Sequence, residues 1–90
     1  MKPKRIAPGY YRYPNGIEIE FRHKDDWAGV FPGWHILWPM KNGGQQEIDF
    51  EKRTLNEAIQ SVNEALEQIV SNPEFASQFN FEEKKDDKAF

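Results

Sequence analysis

The stretch IEIEFRH, residues 17–23, alternates apolar and charged side chains over its first six positions. A period of two is typical of a β-strand that buries one side and exposes the other. The turn-forming sequence PNG, residues 14–16, precedes this stretch, and the aromatic sequence GYYRY, residues 9–13, precedes the turn. The three segments together predict a β-hairpin with one dry side.

Two further strands are predicted downstream. WHILW, residues 34–38, places both tryptophans and the isoleucine on one side, and a proline follows it. The turn sequence KNGG lies at residues 41–44. QEIDFE, residues 46–51, alternates again, so we expect a fourth strand with Ile48 and Phe50 facing the core.

The sequence TLNEAIQSVNEALEQIVS, residues 54–71, predicts an amphipathic helix. Thr54 and Glu57 have the spacing of a capping box. Apolar side chains then recur every three or four residues up to Ile69 and Val70, so one side of the helix is expected to pack on the sheet.

The order of these elements predicts the α+β class: a three- to four-stranded antiparallel meander with one amphipathic helix packed on one face. After the helix stop at residues 72–74, a short helical turn is expected to place Phe75 and Phe79 on the core. We predict one domain over residues 1–81, followed by a charged, disordered tail over residues 82–90.

Composition excludes several classes of protein. The chain has 90 residues and no cysteine, so disulfides, thiolate metal sites and cysteine nucleophiles are ruled out. Three Trp, three Tyr and seven Phe suit a thin core made of bulky rings. The basic residues 1–8 lead into no long apolar run, so neither a signal peptide nor a membrane anchor is expected, and the protein is expected in the cytoplasm.

Nothing in the sequence indicates an enzyme. No phosphate-binding glycine loop and no hydrolase or metalloprotease motif is present. His23 and His35 fall on neighbouring predicted strands, but even with Asp25 or Asp26 they do not make a metal-ligand set. Both histidines are therefore interpreted as partly exposed sheet residues, and no catalytic residue, metal or cofactor is predicted.

Nucleic-acid binding remains an alternative. Three antiparallel strands against a helix resemble the arm-binding domains of tyrosine integrases, a resemblance that implies a sheet face directed at nucleic acid. The residues that could serve such a face are Tyr10, Arg12, Arg22, Lys24 and His35. Against it, Glu18 and Glu20 fall on the same side, and the net charge of −3 gives no overall basic character.

Protein binding is the preferred prediction. The connector WAGVFPG, residues 27–33, carries more apolar surface than a solvated loop, and Trp27, Val30 and Phe31 are its candidate anchors for an unidentified protein partner. The alternative is that these rings complete the core. The outer side of the helix has no Lys or Arg and could attract a basic partner. We therefore expect a non-enzymatic interaction module, an adaptor or an inhibitor, with a homodimer also open.

One partial resemblance bears on the partner. TLNEAI at residues 54–59 and NEAL at residues 63–66 are similar to the helix of the HicB-type antitoxins, and Pro32-Gly33 is similar to a turn of that family. The resemblance implies a toxin as partner. The chain departs from the family because a predicted strand pair separates Gly33 from Thr54. It also resembles the small accessory proteins that phages and mobile elements encode.

Overall fold

A computed structural model of the chain describes residues 2–23, 32–49 and 51–81. Five strands are followed by two helices: β1 (Lys4–Ala7), β2 (Tyr10–Arg12), β3 (Glu18–Arg22), β4 (Gly33–Pro39), β5 (Gln45–Gln46), α1 (Leu55–Ser71) and α2 (Pro73–Ala76). The strands form one antiparallel sheet in their chain order, a meander. The predicted α+β class is confirmed, with five strands in place of three or four.

The additional strand is β1, which the sequence pattern does not reveal. It pairs with β2, with Lys4 opposite Arg12 and Arg5 opposite Tyr11, and a bulge follows Arg5. All four of its residues are exposed, so its side chains show no alternation of apolar and polar types. Basic residues and a bulge are typical of a sheet edge that resists pairing with other chains.

The predicted hairpin is present between β2 and β3. The amide of Gly16 donates to the Tyr13 carbonyl at 3.1 Å, and the amide of Tyr13 donates to the Ile17 carbonyl at 2.7 Å. Gly16 has a φ of 102°, which only glycine adopts readily, and the side chain of Asn15 accepts from the Ile17 amide at 3.3 Å. The turn chemistry read from PNG therefore accounts for the register of this hairpin.

The fourth predicted strand is mostly wrong. Gln46 pairs with Trp38 and Lys52 pairs with Trp34, so five residues on one side lie opposite only three on β4. A continuous ladder cannot absorb two extra residues, and pairing as a strand ends after Gln46. Ile48 is consequently 46 % exposed rather than directed at the core. Phe50 lies outside the described residues.

Helix α1 begins at the predicted N-cap. The Thr54 hydroxyl accepts from the Glu57 amide at 3.1 Å as in a capping box, and the Glu57 carboxylate accepts at 3.1 Å from the amide of Arg53, one residue before the N-cap that the box would use. Val70 is 83 % exposed, contrary to its expected place on the packed side, because it is rotated by about 100° from the buried Ile69.

The core lies between α1 and one face of the sheet. Its buried side chains are Tyr13, Ile17, Ile19, Ile36, Trp38, Met40, Ala58, Val62, Ile69 and Phe79. The region of the short helix α2 contributes as predicted: Phe75 in the helix packs against the cluster, and Phe79, three residues after the helix, is buried. Two backbone hydrogen bonds hold the segment after α2 on the sheet side: Lys41 donates to Gln78 and Asn80 donates to Pro39, both at 3.0 Å.

Tyr13 is a polar member of this core. Its ring is 1 % exposed, and its buried hydroxyl has no hydrogen-bond partner within the described part of the chain. Burial raises the pKa of Tyr13 to about 12. The hydroxyl therefore contributes little to stability and makes the fold sensitive to alkali.

We expect Tyr13→Phe to leave the free energy of unfolding at neutral pH unchanged or raised by about 1 kcal/mol, because it removes an unsatisfied buried group. The unfolded chain releases the Tyr13 proton above its ordinary pKa of 10.0, whereas the folded chain holds it up to about 12. The free energy of unfolding is therefore constant with respect to this group below pH 10, and it falls by up to about 2 kcal/mol as the pH rises from 10 towards 12. Urea unfolding at pH 8 and pH 11 (about the middle of that window) should show a smaller loss for Tyr13→Phe; an equal loss would contradict the buried hydroxyl.

Candidate functional site

The strand register sorts the side chains of the sheet onto two faces. Ile19 lies opposite Ile36 and Phe21 opposite Trp34, on the face that α1 packs against. Glu20 lies opposite His35, on the other face. That second face also carries the four described candidates for nucleic-acid contact, namely Tyr10, Arg12, Arg22 and His35. Lys24 lies outside the described residues.

Both arginines of the second face are paired with its carboxylates. The Arg12 Nε lies 3.7 Å from the Glu18 carboxylate, and the Arg22 Nη2 donates to the Glu20 carboxylate at 3.2 Å. Burial raises the pKa of Tyr10, and a hydrogen bond to Glu18 together with its negative charge adds to this effect. Both guanidinium groups are therefore engaged with carboxylates of the sheet itself.

His35 is buried on this face, which corrects its interpretation as a partly exposed residue. It is 3 % exposed, and its Nδ1 lies 2.6 Å from Oε2 of Glu47. Glu47 directly follows β5, where the chain leaves the ladder, and its carboxylate reaches the His35 ring. His23, by contrast, is exposed just after β3, as expected.

The second face is poorly suited to a phosphate backbone. Among the described residues its carboxylates, those of Glu18, Glu20 and Glu47, equal its cations in number; Arg12 and Arg22 are paired with carboxylates, and Lys4, opposite Arg12, is exposed. A nucleic-acid interface needs cations that are available to phosphates. Here each guanidinium would have to leave a carboxylate before it could contact a phosphate.

Aromatic rings gather at the far end of the first face. The Phe21 ring lies 5.2 Å from that of Trp34 and 4.6 Å from that of His23, and Tyr11 makes an edge contact with Trp34 at 6.0 Å between ring centroids. We call these four residues the aromatic end patch. The rings of Phe21, His23 and Trp34, with Pro8 and Gly9, line a shallow depression of about 430 Å³.

This end of the face was expected to lie under the helix, but Phe21 and Trp34 are both partly exposed. Just before α1, Lys52 pairs with Trp34 of β4. Each backbone amide donates to the carbonyl of the other residue at 2.8 Å, and α1 begins only at Leu55. The first buried side chain of the helix is Ala58. The helix therefore covers the middle and the opposite end of the face.

Trp27, Val30 and Phe31, the anchors predicted from the sequence, lie outside the described residues. The connector that contains them leaves β3 after Arg22 and enters β4 at Gly33, and these two residues are paired. It thus begins and ends beside the aromatic end patch. Phe21, His23 and Trp34 were not predicted from the sequence as residues of this binding surface, although they are the aromatic residues nearest to the connector on both sides.

Within residues 2–23, 32–49 and 51–81, no three His, Asp or Glu side chains gather as a metal site would require. No helix in that part of the chain is long and apolar enough to cross a membrane. Comparisons of the chain with protein-family models, with curated proteins and with solved structures give no match.

Proposed function

We propose that the chain is a non-enzymatic protein-interaction module whose partner contacts the aromatic end patch. The observation that carries this proposal is the partly exposed cluster of Phe21, His23 and Trp34 around a shallow depression, at the end of the sheet that α1 does not cover. Aromatic side chains that are held in place by neighbours and still open on one side are typical anchors of protein interfaces.

The residues around the patch indicate the chemistry of the partner. Arg5 lies opposite Tyr11 in the register, on the same face and beside the patch, and it is exposed. A partner segment that presents an apolar side chain to the rings and a carboxylate to Arg5 would therefore fit. Trp27, Val30 and Phe31 remain proposed contacts, since their connector begins and ends beside these rings.

The paired charges of the opposite face favour this assignment over nucleic-acid binding. A binder of DNA or RNA on that face would need Arg12 and Arg22 to exchange their carboxylate partners for phosphates. The patch needs no such exchange. Covering its partly exposed rings stabilises a complex directly, by a part of the roughly 1.5–3 kcal/mol that full burial of an exposed Phe contributes.

We propose that the module acts in the cytoplasm as an adaptor or an inhibitor. A toxin would be one such partner, as the similarity of residues 54–66 to antitoxin helices implies. The chain itself would be encoded by a phage or a mobile element, as its resemblance to their small accessory proteins implies. In each case the same surface is predicted to make the contact.

Affinity capture from a lysate of the encoding organism tests the proposal when it is done with matched variants. Phe21→Ser should abolish recovery of the partner, because it removes the ring at the centre of the patch. Val70→Ser changes an apolar side chain that is 83 % exposed on α1 and should leave recovery unchanged. Circular dichroism of both variants checks the fold. Equal recovery with a folded Phe21→Ser variant would reject the patch as the binding surface.

A further inference from the structure

A second concave surface lies on the helix side of the molecule, away from the aromatic end patch. It has a volume of about 240 Å³ and is bounded by the segment after β5, by α1 and by the aromatic residues of the α2 region. We call it the helix groove. Its apolar lining consists of Trp38, Ile48, Ala65, Ile69, Phe75 and Phe79.

The groove has a fixed floor and an open rim. Trp38, Ile69 and Phe79 form the floor and are between 3 % and 6 % exposed, and the Trp38 and Phe79 rings are 5.5 Å apart. Ile48 stands on the rim at 46 % exposure, because the chain leaves the β-ladder before it. A rigid apolar floor beside an exposed aliphatic side chain suits the insertion of one bulky apolar side chain.

One end of the groove is acidic. Asp49 and Ser61 line both the helix groove and an adjoining depression, whose other carboxylates are Glu57 and Glu64. The Asp49 carboxylate accepts from Lys52 Nζ at 2.9 Å, so the one cation that the described residues bring to this depression is already paired. Glu64 accepts from the side-chain amide of Gln60 at 3.2 Å, and within the described part of the chain no cation pairs with it. This end therefore attracts positive charge.

We propose that the helix groove binds a segment of a protein partner that carries one bulky apolar side chain with a Lys or Arg nearby. The apolar side chain enters between Ile48 and Ala65, and the cation lies against Glu57 and Glu64. Charge complementarity selects this occupant: the groove combines an apolar floor with an end at which the described carboxylates outnumber the described cations, whereas the aromatic end patch has Arg5 beside it. The proposal concerns a different surface and does not depend on the patch.

A library of random ten-residue peptides displayed on phage tests the proposal, with the whole chain as bait. We expect enriched peptides to share a bulky apolar residue with a Lys or Arg within about three positions, since each extended residue spans about 3.3 Å. A synthetic peptide of the most enriched sequence should bind more weakly as sodium chloride is raised. Enrichment of peptides without a basic residue, or no enrichment, would overturn the proposal.

Matched variants locate the peptide. Ile48→Ser and Glu64→Lys change exposed groups of the groove and its acidic end, and each should weaken binding of the synthetic peptide at least about tenfold. Glu67→Lys makes the same charge change on α1 outside the groove, and it should weaken binding only slightly. A peptide that binds Ile48→Ser normally, or that loses binding on Phe21→Ser, would contradict a groove site. Circular dichroism confirms that each variant is folded.

Discussion

Phe79→Ala is expected to lower the free energy of unfolding by about 4 kcal/mol, as truncation of a buried Phe does in a core that cannot close the cavity. Phe79 is 3 % exposed. Its ring stacks nearly parallel to that of Phe81, with 5.2 Å between the ring centroids, and it makes an edge contact with Phe75, with 5.1 Å between the ring centroids. It also packs against Trp38 of β4. Its loss removes the ring contact with Trp38, whereas the backbone hydrogen bonds of Gln78 and Asn80 with Lys41 and Pro39 remain.

Urea unfolding followed by tryptophan fluorescence measures this loss. Phe75→Ala is the internal control, because Phe75 is only partly buried and its truncation should cost about half as much. A loss below about 1 kcal/mol for Phe79→Ala would show that the segment after α1 is not part of the cooperative core.

Gly33→Ala is expected to destabilise the fold by about 3 kcal/mol through two separate effects. Gly33 has a φ of 141°, which residues with a Cβ rarely adopt. A Cβ at this position would lie 2.8 Å from the Lys52 carbonyl oxygen and 3.2 Å from the Glu51 side chain. The carbonyl cannot retreat without breaking the pairing of Lys52 with Trp34.

Gly43→Ala separates the two effects. Gly43 also has a positive φ, 92°, but a Cβ there would meet nothing within 4 Å. Its substitution should therefore cost only the backbone strain, about 1 kcal/mol. If both variants lose the same stability in urea unfolding, the close approach of residues 51 and 52 to Gly33 is wrong.

Elements with strong local chemistry were predictable. The helix follows from the Thr54 cap and the repeated apolar side, and the β2–β3 hairpin follows from alternation on both sides of the PNG turn. The α2 turn follows from the Asn72-Pro73 stop, where the Asn72 side chain accepts from the Phe75 amide at 3.3 Å. In each case the deciding interactions lie within a few residues of one another.

Elements that depend on distant partners were not predictable. β1 buries none of its side chains, so its place is set by pairing with β2 and leaves no periodic pattern. The alternation at residues 46–51 predicts a strand, but the numbers of residues between the two pairing points with β4 do not match. The exposure of Ile48 follows from that mismatch, which only the three-dimensional register reveals.

For the candidate site too, some features could be predicted from the sequence and others could not. The sequence pattern places Tyr10, Arg12, Arg22 and His35 on one face, and the register agrees. It does not show that Glu47 would reach His35 from beyond β5, or that α1 would begin too far along to cover Phe21. Which part of a sheet face a helix covers depends on where the preceding chain meets the sheet, here at Lys52.

The dissociation constant of the captured partner tests the central claim most directly. Isothermal titration calorimetry with the wild-type chain, Phe21→Ala and Val70→Ala should give at least about tenfold weaker binding for Phe21→Ala, since truncation of an interface anchor costs about 2 kcal/mol or more and about 1.4 kcal/mol is already tenfold. Val70→Ala should bind as the wild type does. Unchanged affinity for a folded Phe21→Ala variant would contradict the claim that the aromatic end patch is the binding surface.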